Sequence, residues 1–186
     1  TTARLSAGDA IACGFADHYV PSDKIEEFIE ALSATSVEDA LGRFAEPAPV
    51  SDLLAQQSWI DAAYSADSVV QILSRLQSSG VPEAVKAAEQ LLSKSPTAVA
   101  VTLRSLRRAR AAGSLEEVLN EEFRVSVACL KSHDLVEGIR AQVVEKDRNP
   151  QWLPATSEEV TEDEVATFFA PLGDLELGLT PPQQHS

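Results

Sequence analysis

The chain has 186 residues, with 29 acidic against 15 basic side chains and a net charge of −14, long enough for one domain with a real core or two small layers of helices. So acidic a balance repels nucleic acid and anionic membranes unless the basic groups are strongly clustered. No apolar run reaches the roughly 18 residues of a bilayer span, and no basic-then-apolar signal pattern opens the chain, so the expectation is a cytoplasmic protein with no nucleic-acid and no membrane partner.

Apolar residues recur at helical spacing almost throughout, while β-branched alternation with turn signals is nearly absent. The spacing predicts helices over 6–14, 22–33, 36–45, 66–79, 81–94, 96–112, 114–131, 134–146 and 161–169. Residues 15–21, FADHYVP, read as a short extended segment, because Pro21 pushes Val20 out of the helical region. Ser22 reads as an N-cap before Asp23, and EPAPVS at 46–51 as a loop. Pro82 and Pro96 stand just inside helix starts, and Gly113 follows an arginine-rich last turn as a C-cap. Asp134 and Glu137 form an acidic first turn, with Asp134 placed to cap it. The fold expectation is therefore all-α, with at most one short strand near residues 15–20. One helical region covers 1–170, and 171–186, rich in Pro, Gly and Gln, is a flexible tail.

Most catalytic chemistry is missing from the sequence. The eight glycines stand singly, never in the clusters that bring backbone N–H groups to a phosphate or an oxyanion. Cys129 and His133 are spaced to meet on a helix face and could pair as a nucleophile or join Cys13 and His18 at a metal. However, Cys129 lies among Val125, Val127, Ala128 and Leu130, where a thiol acts as a small apolar side chain. No metal site and no catalytic residue is assigned. The one basic patch, Arg104, Arg107, Arg108 and Arg110, is either an anion site or a helix C-terminus whose cations complement the dipole and pair with carboxylates. The second reading is preferred. Two distant cysteines make no disulfide framework, and the absence of methionine, even at position 1, points to a processed, cut or truncated chain.

Residues 133–154, HDLVEGIRAQVVEKDRNPQWLP, resemble a signature of the crotonase (enoyl-CoA hydratase/isomerase) superfamily, specifically its 3-hydroxyisobutyryl-CoA hydrolase branch. LSAGDAIACGFADHYVPSDKI, SPTAVAVTLRSLRRAR and EEFRVSVACL extend the likeness over nearly the whole chain. The long run from Pro21 to Pro96 is similar to the extra helices of the hydrolase branch. The resemblance implies the C-terminal helical half of an enzyme whose glycine-lined oxyanion hole and acidic residues lie in a preceding half. The chain alone is then inactive. The parent reaction would be hydrolysis of 3-hydroxyisobutyryl-CoA in valine breakdown. Alternatives are a hydratase or isomerase of the same superfamily and a non-catalytic helical module for oligomerisation or interaction. CoA is here part of the acyl-CoA substrate and not a separate cofactor, and no other cofactor is implied.

In that family a lysine of the matching segment lies close to the CoA phosphates. Lys146 occupies its place, with Arg148 as a weaker second candidate, so these two are the expected coenzyme-binding residues; the alternative is that Lys146, Asp147 and Arg148 only complete a helix end, with Trp152 as core. A glycine at 138 allows close approach of a neighbour, and Trp152 is expected to fold back as an apolar anchor with its indole N–H satisfied. Leu135, Ile139, Val143 and Val144 form an apolar face. Helices built to cover a catalytic half keep such faces, so the isolated chain should expose apolar surface or form a homo-oligomer.

Overall fold

The computed structural model describes residues 4–181; residues 1–3, and residues 182–186 of the expected tail, lie outside the described residues. Helix dominates. The extended structure among the described residues is an antiparallel bridge between Tyr19 and Glu46, so the all-α expectation holds together with its short extended piece. The chain divides into two compact units, Thr1–Ala62 and Ala63–Ser186.

In the first unit, α1 (Ala7–Ala12) is held by a reciprocal cap: the Asp9 amide donates to Ser6 Oγ, and the Ser6 amide donates to the Asp9 carboxylate. The helix stops two residues short of expectation, at Cys13, and Gly14 follows with φ of +73°, a conformation that glycine adopts without strain. Asp9 also reaches along the chain, accepting from Ser51 Oγ at 2.7 Å and from the Leu53 amide at 3.0 Å. The Ser51 hydroxyl, then the Ser6 and Leu53 amides, hold its carboxyl far below the usual carboxylate range.

Ser51 caps α4 (Asp52–Ala55), and α5 (Gln57–Tyr64) follows. Neither helix is among the sequence expectations. α4 is four residues long, too short for periodicity to accumulate, and exists because its cap is tied to Asp9. Ser22 sits inside a 3₁₀ turn, Ser22–Lys24, and caps nothing; α2 (Ile25–Ala34) grows from that turn and packs on α3 (Val37–Phe44). Ala31, Ala40 and Phe44 form their core with Val20 and Phe28 against it. The Phe28 and Phe44 rings meet edge to face, centroids 6.1 Å apart.

In the second unit, α6 (Val69–Ser78) packs on α7 (Pro82–Leu92). Val69, Ile72, Leu73 and Leu76 recur at helical spacing on the buried face of α6, opposite small Ala84, Ala87 and Ala88, which let the axes approach. α8 (Pro96–Ala111) starts behind Ser95, and α9 (Leu115–Cys129) behind Ser114. Gly113 does not take the left-handed C-cap conformation: Ala112 ends α8, and the Gly113 amide donates to Glu117. Later in the chain, α10 (His133–Ile139) is followed by α11 (Glu162–Thr167). Val101 of α8, Val165 and Phe169 close a core that includes Val125 of α9.

The segment expected to be a flexible tail is tied down as far as Leu179. Arg124 donates to both oxygens of Glu176 at 2.9 and 3.0 Å. Asn120 and Leu179 exchange two hydrogen bonds, of 2.8 and 2.9 Å. A 3₁₀ turn, Gly173–Leu175, lies within it, and a composition rich in Pro, Gly and Gln does not exclude docking through side chains of α9.

Candidate functional site

The site grows from the start of α10. Ser132 takes the capping role expected of Asp134, accepting from the Leu135 amide. Asp134 is thereby left to join three segments. It accepts from Ser95 Oγ at 2.5 Å, from the Leu153 amide at 2.9 Å, and contacts His133 Nδ1 at 3.1 Å. The start of α10, the start of α8 and the 152–154 segment are fixed around one carboxylate. Trp152 folds back as expected: its indole N–H donates to the Ser93 carbonyl at 3.4 Å. Its ring lies over Gly138, where a Cβ would come within 3.4 Å of the Trp152 edge. The glycine brings the helix into contact with the indole, although a methyl group there would meet the ring at ordinary van der Waals distance.

The expected helix over 134–146 ends at Ile139, and a wider π turn occupies Arg140–Val144, closed by the Glu145 amide on the Arg140 carbonyl at 2.8 Å. Such widened turns concentrate at functional positions. The chain then reverses, with the Arg148 amide returning to the Ala141 carbonyl at 3.0 Å. Lys146 and Arg148 both take the left-handed conformation, with φ of +58° and +56°, which costs a residue bearing a Cβ about 1 kcal/mol or more. Both side chains are exposed, and neither has an ion-pair partner among the described residues. The two residues singled out by sequence are thus brought together, two positions apart, on a strained turn.

Their acidic neighbours are engaged elsewhere. Arg140 donates to Glu137 at 2.8 and 2.7 Å, to Glu145 at 2.5 Å, to Asp147 at 2.6 Å and to the Asn149 carbonyl at 3.2 Å. The sequence reading passes over Arg140, although Glu137 and Arg140 stand at a helical i,i+3 spacing that favours pairing. Arg140 and then the Gln151 amide hold the Glu137 carboxyl down to about 2, and Arg140 also lowers Asp147.

Because the pKa of Glu137 is depressed in the folded state, its stabilisation is complete above its ordinary value of 4.5 and is lost as pH falls toward about 2. An acid titration followed by tryptophan fluorescence in a Trp59→Phe background, which leaves Trp152 as the reporter, should therefore show the turn loosening across that window. A Glu137→Gln variant should lose the Glu137 share of that pH dependence, leaving that of Asp147, while starting from a less stable state. An identical acid transition in both proteins would refute the assignment.

The remaining candidates have structural uses. Arg104 pairs with Glu162 and Arg108 with Glu121, and both guanidiniums lie over the Phe169 ring, at 5.7 and 5.3 Å. Arg107 donates to the carbonyls of Ala66 and Asp67. Arg104, Arg107 and Arg108 are thus held by partners, in keeping with the preferred reading, while Arg110 is exposed with no ion-pair partner among the described residues. Burial, and then Glu122, push the Cys129 thiol up, opposite to what a nucleophile needs. His133 makes its contact with Asp134. Among the described residues no group of three or more His, Cys, Asp or Glu could hold a metal ion.

Beside Asp134 lies a groove of about 830 Å³, lined by apolar side chains including Val101, Val125, Ala128, Leu135 and Phe168. Of the expected face, Leu135, Ile139, Val143 and Val144 are 37, 47, 63 and 71% exposed, and Val136, outside that expectation, is 66% exposed. The apolar face expected on this helix is real, and in this chain it is open to solvent.

The chain matches the family model described as enoyl-CoA hydratase/isomerase over residues 1–169. It is 34% identical to the mitochondrial 3-hydroxyisobutyryl-CoA hydrolase of Gallus gallus over 187 residues, 95% of this chain and 48% of that protein. The Homo sapiens protein of the same name is also 34% identical, over 185 residues, 94% of this chain and 48% of that one. Among solved structures, a carnitinyl-CoA dehydratase from Mycobacterium thermoresistibile superposes with a TM-score of 0.88 and 52% identity, covering 93% of this chain and 49% of that chain. An enoyl-CoA hydratase from Rhodobacter sphaeroides 2.4.1 does so with 0.86 and 36%, covering 96% and 52%. The chain spans about half the length of the curated relatives it matches. Their names place them in mitochondria, which overturns the cytoplasmic expectation. That no helix among the described residues is long and apolar enough to cross a membrane does not separate cytosol from an organelle interior, so that feature never carried the conclusion.

Proposed function

The chain belongs to the enoyl-CoA hydratase/isomerase family, and from that premise we propose that it is the helical part of a CoA-thioester hydrolase acting on 3-hydroxyisobutyryl-CoA. The names of its curated relatives support this substrate. Lys146 and Arg148 bind the phosphates of the coenzyme, and the groups that act on the thioester belong to polypeptide outside this chain. In the reaction, water adds to the thioester carbonyl, the C–S bond breaks, and 3-hydroxyisobutyrate and the CoA thiol leave.

The observation that carries the coenzyme role is the pair of exposed, unpartnered cations on a strained turn in a chain of net charge −14. Other exposed cations, Lys86, Lys94, Arg110 and Lys131, also lack an ion-pair partner among the described residues, and what sets Lys146 and Arg148 apart is that they stand together on one strained turn whose own carboxylates are engaged by Arg140. A polyphosphate is the ligand such a pair favours, since exposed ammonium and guanidinium groups form charge-assisted hydrogen bonds to phosphate oxygens. The open apolar stripe on α10 is covered, in this reading, by the rest of the protein or by a second copy in a homo-oligomer.

A second reading is addition or removal of water at a carbon–carbon double bond, favoured by the dehydratase and hydratase titles of the solved structures. A panel of acyl-CoA esters offered to the complete protein separates the two. Hydrolysis releases a free thiol, whereas hydration changes enoyl absorbance and leaves the thioester intact. Lys146→Ala in the same protein should raise the KM for acyl-CoA about tenfold, the worth of one charge-assisted hydrogen bond, with kcat held. Thiol release that fails to appear with 3-hydroxyisobutyryl-CoA would remove the hydrolase reading, and an unmoved KM would remove Lys146 from the coenzyme site.

A further inference from the structure

We infer that Arg140 is a positioning residue that makes Lys146 and Arg148 available by holding the carboxylates that would otherwise pair with them. The inference rests on the coenzyme reading of those two cations and adds how the turn keeps them free. In the sequence EKDR, Glu145 to Arg148, each of Lys146 and Arg148 stands directly beside an acidic residue, so a flexible segment would largely neutralise itself. In the structure it does not, because Glu145 and Asp147 both turn to the Arg140 guanidinium, at 2.5 and 2.6 Å.

The fit is specific to arginine. A guanidinium has five N–H donors in a fixed fork, and Arg140 makes five contacts: two to Glu137, one each to Glu145 and Asp147, and one to the Asn149 carbonyl. A lysine, with three donors, cannot hold all of them. The backbone completes the separation. The left-handed conformations at 146 and 148 alternate with the two residues that face Arg140, so anions and cations of the same four-residue stretch part company. Glu137, on α10, anchors the guanidinium, and its second tie, from the Gln151 amide at 2.7 Å, fixes the far end of the turn. Trp152 is the next residue and is itself seated on Gly138.

The test uses the complete protein and steady-state kinetics with an acyl-CoA ester. R140Q should raise KM about tenfold, as Lys146→Ala does, with kcat held, because released Glu145 and Asp147 then screen both cations. Adding E145Q and D147N to R140Q should recover most of the loss, which a purely structural arginine would not allow. Should R140Q fail to fold, R140K is the substitute. It should raise KM about threefold, the scale of an exposed ion pair, and the same two amide substitutions should erase that rise. A KM that rises in the arginine variants and stays raised when both carboxylates are neutralised overturns the inference. So does an R140Q protein with unchanged KM when Lys146→Ala is affected. An unchanged KM for Lys146→Ala marks a different failure, that of the coenzyme reading beneath it.

Discussion

Replacing both cations, Lys146→Ala with Arg148→Ala, is expected to raise the KM for acyl-CoA about a hundredfold in the complete protein, two charge-assisted hydrogen bonds at about tenfold each. The turnover number should hold, because in the proposed coenzyme role both residues contribute binding shared by the ground and transition states. Salt dependence supplies an independent reading. Exposed cations act on a phosphate through water and are screened over about 8 Å at physiological ionic strength. The native protein should therefore lose affinity as salt rises, and the double variant should respond much less. The removed positions also carry the two left-handed residues, and alanine there keeps the strain without the charge. A Lys146→Gly, Arg148→Gly pair relieves the strain and should be the more stable protein with the same raised KM. Equal KM values in native and double-variant protein at low salt would end the coenzyme role of this turn.

How much of this was legible beforehand differs by element. The helices α6 to α9 carry long apolar periodicity with Pro82, Pro96 and serine caps at their starts, and such signals are local, so the sequence places these helices within a few residues. The fold-back of Trp152 was readable because an apolar indole follows a charged turn and Pro150, whereas its seat on Gly138 appears only in the structure. What escaped depends on distance. α4 is stabilised through Ser51 by Asp9, 42 residues earlier in the chain, and no window along the sequence contains both. Arg140 was invisible for a related reason: its value lies in gathering Glu137, Glu145, Asp147 and Asn149 at one point, which requires the helix to end at Ile139 and widen. Nothing in GIRAQVVEK announces that widening. Lys146 and Arg148 were named from family likeness alone, and it is the geometry of the turn that supplies a physical reason for preferring them to the arginines of α8, each of which but Arg110 is occupied among the described residues.

Gly8→Ala should destabilise the first unit by about 1–3 kcal/mol, the range for forcing extra atoms into a packed site. Ordinarily the change would help, since glycine inside a helix is worse than alanine by about 1 kcal/mol. Here the sign reverses, because a Cβ on Gly8 would lie 2.2 Å from the Pro49 carbonyl oxygen and 3.1 Å from that of Val50. Both obstacles are backbone and cannot swing aside. To admit the methyl group, the 49–50 strand of chain must retreat from α1, and it draws with it Ser51, which donates to Asp9 and caps α4. One methyl group thus breaks a cap, a buried carboxylate's chief partner and the start of the next helix together. Gly42 is the matched control, a helical glycine in α3 with nothing within 4 Å of its Cβ position, and Gly42→Ala should raise stability by up to about 1 kcal/mol. Thermal unfolding of the two variants should move in opposite directions. Hydrogen exchange should accelerate over residues 51–55 in Gly8→Ala alone, while the amides of α6 and α7 are unaffected. If both alanines stabilise, the close approach of α1 to Pro49 does not exist in solution, and the tie between Asp9 and Ser51 loses its geometric basis with it.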